Sequence, residues 1–60
     1  MLFRDIITTF EKDVASFERG GDLSPQLFAK LCEYYEDEII DIPDYELQEW
    51  VADRFQADIE

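Results

Sequence analysis

Apolar residues recur along the first third of the chain at the period of an α-helix. They are separated by four, three, four and three positions, in the order Phe3, Ile7, Phe10, Val14 and Phe17. This spacing places them on one side of a helix, and Leu2 and Ile6 widen that side. The pair Gly20-Gly21 then ends the element and turns the chain. The pattern predicts a first helix near residues 3–19.

A complete helix start follows the glycine pair. Ser24 is a favoured N-cap residue, Pro25 suits the first helical position, and Leu23 can pack against Phe28 as a hydrophobic staple. The apolar side then continues through Leu27, Phe28, Leu31, Cys32, Tyr35 and Ile39. These signals predict a second helix near residues 24–39.

Pro43 separates the second helix from a third, because proline biases the residue before it toward extended geometry. We predict the third helix near residues 44–58, with Asp41 and Asp44 as rival N-caps. The run 39–42 is either the end of the second helix or a short extended connector. The apolar side of the third helix consists of Leu47, Val51 and Phe55.

Three helices joined by short turns predict an all-α fold in a single domain over residues 1–60. The expected architecture is a small three-helix bundle. A chain of 60 residues buries little apolar surface, so completion of the core by homodimerisation is an open alternative. The predicted core consists of Phe3, Ile7, Phe10, Val14, Phe28, Leu31, Leu47, Val51 and Phe55.

Charge divides the chain into two unequal parts. Residues 1–32 carry five acids and four bases, whereas residues 33–60 carry eleven acids and Arg54 as the single base. This asymmetry favours a positively charged partner and argues against direct binding to nucleic acid or to an anionic membrane. The alternative is that the acids only keep the protein soluble.

The usual chemistry of enzymes and metal sites is missing from the sequence. It contains no histidine, no glycine-rich phosphate loop and no zinc-binding spacing. The carboxylates do not follow a calcium-binding loop pattern. Cys32 is the only cysteine and fits a buried thiol. We therefore predict no enzyme, no cofactor and no dedicated metal site.

The start of the chain predicts neither a signal peptide nor a membrane span, because an acid at position 5 interrupts a short apolar run. A cytoplasmic protein is expected.

Several acids occupy positions that do not favour helix stability. Glu33 and Asp37 are like charges four residues apart, and so are Glu49 and Asp53; each pair costs about 0.2–0.5 kcal/mol on a helix. Two aromatic residues accompany the acids, either as core residues or as apolar contacts. The predicted partner-binding residues are Glu33, Tyr34, Glu36, Asp37, Glu38, Asp41, Glu46, Glu49, Trp50 and Asp53.

In size and acidity the chain resembles phage and plasmid anti-restriction and anti-CRISPR proteins. The resemblance is one of type, and no motif carries it. It implies a regulator or inhibitor that binds a basic surface of another protein as a nucleic-acid mimic. The alternative is a helical assembly or antitoxin-like module, which forms a homodimer or binds a partner helix through its phenylalanine side.

Overall fold

The computed structural model describes residues 2–60. It contains four helices and, over these residues, no strand. In chain order they are α1 (Phe3–Thr9), α2 (Glu11–Glu18), α3 (Pro25–Tyr34) and α4 (Asp44–Ile59). The predicted all-helical fold is confirmed, but the predicted first helix is two helices.

The break between α1 and α2 lies at Phe10, whose backbone leaves the helical region (φ −111°, ψ 36°). Two β-branched residues of modest helix propensity, Thr8 and Thr9, come directly before it. In one continuous helix Ile6 and Val14 would point roughly 80° apart, at 3.6 residues per turn. The break allows both side chains to be buried in the same core. Tertiary packing therefore accounts for the interruption.

Local signals set the turn from α2 to α3 as predicted. Gly20 has a positive φ of 93°, and its N–H donates to the Phe17 carbonyl while Gly21 donates to Ser16, both at 3.0 Å. This pattern is a Schellman motif, which closes the end of α2. The Ser24 hydroxyl accepts a hydrogen bond from the Leu27 N–H at 3.1 Å, as expected of an N-cap residue.

The second helix is shorter than predicted, because α3 ends at Tyr34 rather than at Ile39. Residues 35–42 form successive turns, with hydrogen bonds such as Glu38 N–H to the Tyr35 carbonyl at 2.8 Å. The three acids that follow Tyr35 would lie at the negative end of a longer helix, where the helix dipole disfavours them. The run 39–42 is thus neither a helix end nor an extended connector.

The N-cap position of α4 is occupied by Pro43, and no side chain caps it. Both predicted caps, Asp41 and Asp44, are therefore wrong. Asp44 instead forms the first residue of α4, where its charge suits the helix dipole. The predicted start and length of this helix are otherwise confirmed.

The core lies where α3 meets α4, with α1 and α2 against it. Its buried members are Ile6, Val14, Leu23, Leu27, Leu31, Tyr35, Val51 and Phe55. Five predicted core residues are only partly buried around it: Phe3, Ile7, Phe10, Phe28 and Leu47. The buried residue of α1 is Ile6, whereas Phe3 and Ile7 are only partly buried.

Candidate protein-binding surface

Every acid in the predicted contact set is exposed. The structure brings most of the set together in two groups, and Glu38 and Asp41 belong to neither. Glu46, Glu49 and Asp53 line a shallow depression on α4 together with Trp50. We call these three acids the α4 acidic stripe. Their spacing of three and four residues follows successive turns of one helix, so the predicted arrangement of this group agrees with the structure.

The second group lies where α3 ends. Glu33, Tyr34, Glu36 and Asp37 line a common depression. Glu33 forms an ion pair with Lys30 at 3.1 Å on the surface of α3. Because α3 stops at Tyr34, Asp37 is no longer on the same helix as Glu33, and the expected like-charge penalty along a helix does not apply to that pair.

The two predicted aromatic contacts have different surroundings. Tyr34 remains 38% exposed, although its ring lies 5.4 Å from the ring of Phe3 and 5.0 Å from that of Tyr35. Trp50 is partly buried and packs edge-on against Tyr35 at 5.8 Å. Both rings therefore contribute to packing as well as to the surface.

A cluster that the sequence does not predict surrounds Arg54, the lone base of the acidic half. The Arg54 guanidinium binds Glu38 at 2.8 Å and Asp58 at 3.5 Å. It also lies 5.8 Å above the ring of Tyr35 and 5.9 Å from that of Trp50, within the range of cation–π attraction. We call these five residues the Arg54 cluster.

The Arg54 cluster joins the 35–42 turns to α4 and changes the role of one predicted contact residue. Glu38 is engaged in the fold through Arg54, so it belongs to the internal charge balance of the protein. One sequence signal pointed to the cluster, because Arg54 and Asp58 are four apart on a helix. The contacts to Tyr35 and Glu38 come from another part of the chain and have no local signal.

The remaining acids of the second half lack a positive partner. Within residues 2–60, ion pairs in this half involve only Glu33, Glu38 and Asp58. Eight of its eleven acids therefore have no ion-pair partner among the described residues: Glu36, Asp37, Asp41, Asp44, Glu46, Glu49, Asp53 and Glu60. The negative potential of this half is consequently not neutralised from within the described chain.

Two large apolar side chains near these acids are exposed and were not predicted as contacts. Ile40 in the turns is 76% exposed, and Tyr45 in the first turn of α4 is 86% exposed. Tyr45 is two positions from Leu47 and so lies off the apolar side of α4. That offset was the signal in the sequence that its ring would face solvent.

The Tyr35 hydroxyl donates a hydrogen bond to the Asp58 carboxylate at 2.5 Å. Burial of the side chain, followed by this hydrogen bond and the nearby negative charge of Asp58, raises the pKa of Tyr35 far above its ordinary value. The hydroxyl therefore stays protonated in the folded protein under conditions in which an exposed tyrosine ionises.

This shift predicts a loss of stability in alkali. Because the folded pKa of Tyr35 lies above the ordinary value of 10.0, its contribution is complete below that pH and decreases as the pH rises above it. Urea denaturation at about pH 8 and about pH 11 measures the free energy of unfolding at each pH. Its decrease from the lower to the higher pH should be smaller for Tyr35→Phe than for the parent. Tyr45→Phe, which removes an exposed hydroxyl, should keep the loss of the parent. An unchanged loss in Tyr35→Phe would contradict the assignment.

The described residues also bear on metal binding, thiol reactivity and membrane insertion. No group of three histidine, cysteine, aspartate or glutamate side chains in residues 2–60 is arranged to hold a metal ion. Cys32 is a free, partly buried cysteine, and burial raises the pKa of its thiol, which disfavours the reactive thiolate. None of the described helices combines the length and apolarity that a membrane crossing requires.

Comparisons with known proteins add no relative to this picture. No protein-family model, curated protein or solved structure matches the chain.

Proposed function

We propose that this protein is a small acidic regulator, without enzymatic activity of its own, that binds a basic surface of another protein. The observation that supports this most is the α4 acidic stripe. Its three carboxylates are exposed and have no ion-pair partner among residues 2–60, while Arg54 is already engaged by Glu38 and Asp58. Glu49 and Asp53 also remain like charges four apart on α4, which disfavours the helix by about 0.2–0.5 kcal/mol.

The sharpest form of the proposal is a nucleic-acid mimic. Carboxylates on successive turns of α4 are about 5.4 Å apart along the axis. This rise is close to the roughly 6–7 Å between phosphates of one DNA strand that its charge density implies. A lysine- and arginine-lined groove that normally holds nucleic acid would accept such a row of charges. Opposite charges would then speed association and make it sensitive to salt.

Reversal of the α4 acidic stripe tests the proposal. The variant Glu46→Lys, Glu49→Lys, Asp53→Lys should lose its partner in affinity capture from the native host, with captured proteins identified by mass spectrometry. It should keep its helical circular dichroism spectrum, because all three positions are exposed. Capture by the parent should weaken as salt is raised and should be reversed by added double-stranded DNA.

A matched control separates the stripe from net charge. The variant Asp5→Lys, Glu11→Lys, Glu18→Lys changes the net charge by the same amount at exposed positions of α1 and α2, and it should retain the partner. Equal capture of the partner by the stripe variant and by the parent would show that the stripe is only a solvated surface. Sedimentation of the parent would then test the assembly alternative through its partly buried phenylalanines.

A further inference from the structure

We infer that a groove beside the α4 acidic stripe receives an arginine side chain of the basic partner, an inference that rests on the proposed function. The groove has a volume of about 320 Å³ and separates α4 from the turn that follows α2. This volume is near the lower end of the roughly 300–1,000 Å³ found for ligand pockets. We call it the Asp22–Glu49 groove, after the two acids that line it.

The lining of the groove combines apolar and acidic surface. Phe17, Leu23 and Ala52 supply apolar contacts, whereas Asp22 and Glu49 supply carboxylates. The ring of Phe17 is itself packed against that of Phe55 at 5.5 Å, and Leu23 is 8% exposed. The apolar part of the groove is therefore anchored in the core.

The turn that carries Asp22 approaches α2 closely at the preceding residue, Gly21. A Cβ atom at Gly21 would lie 2.8 Å from the Ser16 carbonyl oxygen, closer than non-bonded atoms tolerate. The turn can therefore lie tight against the end of α2 only because residue 21 is glycine. The Gly21 N–H donates to the Ser16 carbonyl at 3.0 Å, so the chain is tied to α2 directly before Asp22.

These features match the chemistry of arginine better than that of other side chains. The aliphatic stem of arginine can cover apolar surface while its charged end stays in water. Its planar guanidinium can donate to two carboxylates and stack on an aromatic ring. Tyr45 lines the same groove and is 86% exposed, so its ring is available for that contact. The lining residues include no base that would repel the occupant.

Two capped lysine-rich peptides of equal charge provide the probe, one with arginine and the other with lysine at its central position. Titration into ¹⁵N-labelled protein at low salt, followed by NMR, should show about fivefold tighter binding of the arginine peptide, the size expected for one favourable surface contact. The largest shifts should fall on Asp22, Gln48 and Ala52, which line the groove.

Steric and charge variants test whether the preference for arginine over lysine arises in the groove. Ala52→Leu narrows the groove without a charge change and should abolish the preference for arginine, whereas Ala57→Leu on the exposed side of α4 should preserve it. Circular dichroism checks that both variants fold. Asp22→Asn, in the exposed turn, repeats the test without altering the core and should also abolish the preference.

Equal affinity for the two peptides would overturn the inference that the groove receives arginine. A preference that survives both Ala52→Leu and Asp22→Asn would do so too. Failure to bind either peptide would do the same, since an arginine site must respond to arginine. Each of these results is distinct from failure of the proposed function, which is judged by capture of the partner with the stripe variant. Salt-sensitive binding of both peptides with equal affinity would leave that function standing.

Discussion

Replacement of Phe55 by alanine is expected to bring the protein to the edge of unfolding. The Phe55 side chain is 0% exposed, and the rings of Phe3 and Phe17 lie 5.6 Å and 5.5 Å from it. Removal of a buried phenylalanine typically costs about 3–5 kcal/mol. A domain of this length has a stability of roughly 3–9 kcal/mol, at about 0.05–0.15 kcal/mol per residue. Chemical denaturation followed by circular dichroism measures the loss.

Phe10→Ala is the matched control for Phe55→Ala. Phe10 lies at the break between α1 and α2 and is only partly buried, so its truncation leaves a smaller cavity and should cost clearly less. The sequence pattern predicts Phe10 in the core, whereas the structure leaves it partly exposed. Equal losses for the two variants would show that the junction is as tightly packed as the centre.

Arg54→Met is expected to lower stability by about 1–2 kcal/mol, since it removes two surface ion pairs and two cation–π contacts but keeps an apolar stem. The estimate is modest because the Arg54 side chain is 44% exposed and water screens its charge. In a domain of this size each kcal/mol corresponds to about 4–8 °C in Tm. Thermal melting at low salt measures the shift.

Lys30→Met provides the comparison, because Lys30 takes part in one surface ion pair, with Glu33. Its melting temperature should change by a fraction of the Arg54 effect. Arg54→Lys should restore only part of the loss, because an ammonium group cannot form the forked contact of a guanidinium. If Arg54→Met and Lys30→Met had the same melting temperature, the Arg54 cluster would contribute no more to stability than an ordinary surface ion pair.

The elements that could be predicted from sequence are those set by neighbouring residues. The glycine turn that closes α2 and the N-cap of α3 at Ser24 depend on contacts within a few positions, and the sequence predicts both. The break at Phe10 could not be foreseen, because it serves the packing of Ile6 and Val14 against other helices. The early end of α3 goes with the burial of Tyr35, which meets Asp58 from 23 positions away.

The candidate surface likewise has one part that the sequence predicts and another that it does not. Exposure of the α4 acidic stripe followed from its position opposite the apolar side of α4, and the structure agrees. The engagement of Glu38 by Arg54 and the groove between Asp22 and Glu49 each join separate parts of the chain. Spacing along the sequence carries no information about such contacts.

The break at Phe10 also bears on which backbone amides exchange with solvent. It leaves α1 with seven residues and no side-chain cap, which is too short for a helix to persist on its own. The segment should open independently of the rest, so its amides should exchange with deuterium sooner than those of α3 and α4. Each opening would withdraw Phe3 from the rings of Tyr34 and Phe55, and the native ensemble would include a minor state with these aromatic edges uncovered.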